Sequence, residues 1–77
     1  MVLSTTYHND LVEIVFPLIL KLESFNLYNA TGQCVYNSTN IKGNKIVISK
    51  NILSKGIYIY QLLFDTGIEL KNKLLIN

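Results

Sequence analysis

The stretch Ile57-Tyr58-Ile59-Tyr60-Gln61-Leu62-Leu63-Phe64 decides the fold of this chain. It is built almost wholly from β-branched, aromatic and aliphatic residues, which pack well on a pleated, half-buried surface. In an extended chain side chains alternate between two faces. Tyr58, Tyr60, Leu62 and Phe64 then share one face, opposite Ile57, Ile59, Gln61 and Leu63. The same period of two recurs outward from this run. Phe25 and Leu27 alternate with Ser24 and Asn26, and Ile46 and Ile48 flank Val47 inside Lys45 to Ser49. Val12, Ile14 and Phe16 fall on one side of an early segment, with Glu13 on the other. The last segment, Glu69 to Ile76, sets Leu70, Asn72, Leu74 and Ile76 against Lys71, Lys73 and Leu75.

Turn chemistry separates these runs. Ala30-Thr31-Gly32-Gln33 reads as a tight connection in which Gly32 is free to take a positive φ. Asp65-Thr66-Gly67 reads as a short hairpin joining the last two strands. Asn37 to Asn44 is a polar loop, and Lys50 to Gly56 is a second loop whose Ile52 and Leu53 suggest a buried apolar hook. Pro17 cannot donate to a ladder and is expected at a strand end or edge. Short strands with closely spaced turns, and no convincing amphipathic helix, predict an all-β antiparallel sandwich. Residues 1–10 are expected to be a poorly ordered stretch, and residues 11–77 a single domain.

Composition agrees with a small folded module. Of the 77 residues 49% are hydrophobic and only 16% charged, and the mean hydropathy is +0.29, opposite to the signature of disorder. The net charge of +2 comes from seven lysines and no arginine, interleaved with five carboxylates. Nucleic-acid binding, which favours a concentrated basic face, is not expected. The apolar run Leu11 to Leu22 is interrupted by Glu13, Pro17 and Lys21 and falls short of the roughly 20 residues of a membrane span. The opening MVLSTTYHND lacks the basic start, apolar centre and cleavage site of a secretory signal. Export would then depend on a longer chain or on a partner.

Enzyme signatures are absent: no phosphate-cradling glycine loop, no HExxH motif and no paired cysteines. Cys34 is the lone cysteine and His8 the lone histidine. Beside Val35 and Tyr36, Cys34 reads as a small hydrophobe on a strand rather than a nucleophile. No metal or cofactor is expected. Two Asn-x-Ser/Thr triplets begin at Asn29 and Asn37, and chance explains them in a chain rich in asparagine. Of the five tyrosines, Tyr58 and Tyr60 share a face with Leu62 and Phe64, which favours a core role over a stacking platform for sugars or bases.

Three stretches carry a resemblance. FNLYNATGQCVYN (residues 25–37), ILSKGIYIYQL (52–62) and FDTGIELKNKLLI (64–76) resemble, in order and spacing, the type A C-terminal sorting domains of type IX secretion cargo in Bacteroidota. The family's opening Pro-Asn-Pro is absent, with Ser4 to Asn9 in its place. The resemblance implies an immunoglobulin-like antiparallel sandwich with no catalytic site. It implies a domain fused to a larger secreted cargo that passes through the periplasm, docks on an outer-membrane translocon and is cut by a surface sortase. The cargo would end at the cell surface or be secreted, without membrane insertion of the domain. Its pattern residues here are Gly32, Gln33, Gly56, Ile57, Tyr58, Asp65, Gly67, Lys71 and Lys73. The glycines have a plain role in turns and Tyr58 in the core, whereas Lys71 and Lys73 are candidates for receptor contact. Protection of a sheet edge is the other account of those lysines. The alternative function is a structural or adhesive immunoglobulin-like module of a surface protein.

Overall fold

The computed structural model describes residues 4–17, 19–39, 41 and 43–77. The first three residues of the expected loose stretch, Leu18 of the apolar run, and Asn40 and Lys42 of the polar loop lie outside them. The strands are β1 (Ser4–His8), β2 (Leu11–Val15), β3 (Leu22–Tyr28), β4 (Cys34–Ser38), β5 (Lys45–Ser49), β6 (Gly56–Phe64) and β7 (Glu69–Ile76), with one 3-10 turn at Lys50–Ile52. They form a three-stranded sheet, β1-β2-β5, and a four-stranded sheet, β4-β3-β6-β7, antiparallel throughout. In immunoglobulin lettering these are A-B-E and C′-C-F-G, so the expected sandwich is present, with β4 beside β3.

The inward faces follow the predicted alternation. β6 buries Tyr58, Tyr60, Leu62 and Phe64, β2 buries Val12 and Ile14, β5 buries Ile46 and Ile48, and β7 buries Leu74 and Ile76. Phe16, just past β2, packs edge-on against Phe64 with ring centroids 5.6 Å apart, and Phe25 stacks on Tyr60 at 6.1 Å. Each such side chain, taken from water, contributes about 1.5–3 kcal/mol before entropy is counted. A bulge keeps β3 in phase with this core. Leu22 faces Phe64 but Ser24 faces Leu63, so Glu23 is an extra residue. Leu22 and Phe25 can therefore both point inward although they are three positions apart.

Three features differ from the sequence expectation. Periodicity assigns no strand before Leu11, yet within the stretch expected to be loose, Ser4–His8 pairs along the whole of β2. All five residues of β1 are exposed, so its pairing rests on backbone hydrogen bonds and leaves no hydropathy pattern to read. The two-residue connection Asn9-Asp10, with Asn9 at φ 39°, is the hairpin signal that marks it. Ile52, expected in a buried hook, is 60% exposed, because the 3-10 turn directs it to solvent while Leu53 packs against the core. Cys34 does begin a strand, but it is exposed rather than a buried hydrophobe. Val35 is skipped in the β3–β4 register, which disturbs the alternation there.

Candidate functional site

β3, β6 and β7 carry their outward side chains in rows across the larger sheet. Tyr28 stands opposite Ile59 and Ile59 opposite Lys73, while Asn26 stands opposite Gln61 and Gln61 opposite Lys71. Ile57 stands opposite Leu75. Cross-strand partners on one face lie within side-chain contact. Gln61 accepts hydrogen bonds through Oε1 from the Tyr28 hydroxyl at 3.2 Å and from Asn26 Nδ2 at 3.5 Å. That polar pair fixes the Tyr28 ring beside Ile59. Ile57 and Leu75 remain 56% and 50% exposed.

The turn between β3 and β4 closes on one side chain. Asn29 Oδ1 accepts from the backbone N–H of Thr31 at 3.1 Å and of Gln33 at 2.9 Å, and from the Thr31 hydroxyl at 2.8 Å. Its Nδ2 donates to Gln33 Oε1 at 3.3 Å. The backbone is clamped as well, with Asn29 N–H on the Gln33 carbonyl and Gly32 N–H on the Asn29 carbonyl, both 2.9 Å. Gly32, at φ 87°, takes the left-handed conformation this loop needs. Sequence reasoning placed Gly32 and Gln33 in the turn but missed Asn29. The signal was available, since asparagine bonding to the backbone two residues on is a recognised turn builder.

The turn and the rows together line a hollow of about 480 Å³, formed by Tyr28, Asn29, Ala30, Gly32, Ile57, Ile59 and Lys71. A second hollow of about 350 Å³ shares Asn29, Ala30 and Ile57 and extends to Leu53, Gly56 and Tyr58. At its edge the Tyr58 hydroxyl donates to the Ser54 carbonyl at 2.7 Å. A tyrosine at the start of strand F, bonded back to the preceding crossover, is the tyrosine corner of immunoglobulin-like sandwiches. Tyr58 is 6% exposed, so the core role expected for it holds, with the added task of pinning the β5–β6 connection.

The nine residues singled out by the resemblance thus separate. Gly32, Ile57 and Lys71 meet at the larger hollow, and Gly56 and Tyr58 join Ile57 at the adjoining one. Gln33 closes the turn, and Lys73 lies beside Ile59. Asp65 and Gly67 lie past the opposite end of β6, roughly 27 Å along a nine-residue strand. There the Asp65 N–H bonds the Lys21 carbonyl at 2.9 Å and Gly67, at φ 90°, completes the hairpin. Tyr28, Ile59 and Leu75, absent from the sequence-based selection, complete the apolar part of the face. Lys71 Nζ lies 3.6 Å from Glu69 Oε1. Both are exposed, so the pair adds little to stability. Among the described residues Lys73 forms no ion pair.

His8 ends β1 in one sheet and Cys34 begins β4 in the other. Among the described residues no three His, Cys, Asp or Glu side chains gather as metal ligands, and no helix is long and apolar enough to cross a membrane. What the geometry offers is a shaped outer face bordered by lysines.

No curated protein matches the chain. A family model, the secretion system C-terminal sorting domain, matches residues 8–77, from the end of β1 through β7. That span contains the whole larger sheet, β2 and β5 of the smaller one, the Asn29 turn and the lysine-bearing last strand. The chain belongs to the C-terminal sorting domains, the signals that send proteins out through type IX secretion to the cell surface or beyond it.

Proposed function

We propose that the outer face of the four-stranded sheet is the part of this domain that the secretion machinery reads, with Lys71 and Lys73 as its contact residues. Gly32, Gln33, Gly56 and Tyr58 shape the frame around that face, Ile57 supplies its apolar part, and Asp65 and Gly67 hold the hairpin that sets β7 beside β6. In this reading residues 11–77, with β1 added to the smaller sheet, act as a single unit at the end of a larger secreted cargo. The unit crosses the periplasm folded, docks on an outer-membrane translocon, and is removed by a surface sortase. It performs no chemistry of its own and needs neither cofactor nor nucleic acid. It enters no membrane.

The observation that supports this reading is the meeting of Gly32, Ile57 and Lys71, from three separate segments, at one hollow. Turn formation alone gives no reason for that convergence. Fusing the whole chain behind a periplasmic reporter in a type IX host is expected to move the reporter to the surface or the medium. A reporter held in the periplasm, with the domain shown to be folded, contradicts the proposal.

A further inference from the structure

Ile57 and Leu75 face each other across β6 and β7 and are each at least half exposed. The next row adds the Tyr28 ring and Ile59, making one continuous apolar strip beside the hollow. Isolated exposed aliphatics are ordinary on a protein surface, whereas a contiguous patch with a concavity marks a contact site. The strip is bordered by Lys71 and Lys73, and Glu69, already paired with Lys71, is the only carboxylate on the outward rows of β6 and β7.

We infer that this strip receives a protein segment of the secretion machinery that inserts a large apolar side chain into the hollow and sets carboxylates against Lys71 and Lys73. The inference rests on the sorting reading above and names the chemistry of the partner. An apolar anchor in a pocket with a charged rim is the usual energetic layout of a specific protein contact. Charge complementarity selects the partner. A second copy of this face would bring lysine against lysine, which opposes self-association. An anionic lipid surface is read by clusters of four to eight basic residues, whereas the outward rows of β6 and β7 carry two and the adjoining hollow adds only Lys55. An acidic, apolar-tipped protein segment fits both the floor and the rim.

The test uses the whole chain fused to a secreted reporter in a type IX host, comparing the unaltered domain with I57S/L75S, K71E/K73E and, on the other sheet, L11S/V47S. Thermal unfolding of each purified domain checks that the sandwich persists. I57T/L75T, which retains β-branching, repeats the experiment if serine disturbs the sheet. Both outer-face variants are expected to lower export about ten-fold, the cost of losing a modest anchor, while L11S/V47S exports like the parent. Full export of a folded I57S/L75S or I57T/L75T domain overturns the inference and leaves the sorting reading in place. Failure of the unaltered fusion overturns the sorting reading itself. An equal loss in L11S/V47S contradicts the assignment to this face. The purified domain is also expected to ignore vesicles of phosphatidylcholine and phosphatidylglycerol. Binding to them that K71E/K73E abolishes would replace the protein partner with a lipid one.

Discussion

The two sheets are alike on the inside and different on the outside. Each contributes buried apolar side chains to one shared core. The outer face of β1-β2-β5 runs in rows of Thr6, Glu13 and Val47, then His8, Leu11 and Ser49, then Ser4, Val15 and Lys45. Every aliphatic there sits in a row with polar neighbours, and Glu13 lies 3.6 Å from Lys45. The outer face of β4-β3-β6-β7 instead sets Ile57 against Leu75 and Tyr28 against Ile59, beside lysines. Folding explains the inner faces equally well. It gives no reason for a continuous apolar strip on one exterior and not the other, and the proposed recognition role would account for that difference.

The comparison can be broken from the inside first. Ile14→Ala in the smaller sheet and Leu62→Ala in the larger remove side chains that are fully buried. Each is expected to cost about 2–5 kcal/mol in urea unfolding. A large loss from one and almost none from the other would show that the sheets do not share the core equally. Next comes the frame of the outer face. Asn29→Ala removes four side-chain hydrogen bonds from the β3–β4 turn and should cost about 1–2 kcal/mol, as loss of a local cap does. Tyr58→Phe removes the bond to Ser54 and should cost about 1 kcal/mol. Tyr60 sharpens the contrast, because its hydroxyl is buried without a hydrogen-bond partner among the described residues. Tyr60→Phe is expected to leave stability unchanged or raise it by up to about 1 kcal/mol. Opposite signs for the two tyrosines, measured in one set of melts, would separate the corner tyrosine from the purely packing one.

How much of this was legible beforehand follows from which interactions leave a local trace. Burial on one face of a strand writes itself into alternate residues, so the inward sides of β2, β3, β5, β6 and β7 could be read directly from Val12, Phe25, Ile46, Tyr60 and Leu74. β1 left no such trace, since its residues are all exposed and its partner strand supplies the order. Ile52 misled for the converse reason. Hydropathy records what a residue prefers, and the 3-10 turn aims this one outward. The candidate site was half visible. Its glycines and lysines carry a family pattern, but the contact of Tyr28 with Ile59 and of Ile57 with Leu75 depends on register between distant segments. A bulge at Glu23, which nothing local announces, belongs to that register.

Under the proposed function the larger sheet's exterior is read while the smaller sheet's exterior is merely solvated. Exposed lysines contribute little to stability, so K71S/K73S should melt within a degree or two of the parent, as should Lys45→Ser on the opposite face. The decisive measurement is the exported fraction of a reporter carrying each of these folded domains. A clear fall for K71S/K73S and none for Lys45→Ser is the predicted result, and equal export from both would contradict the account.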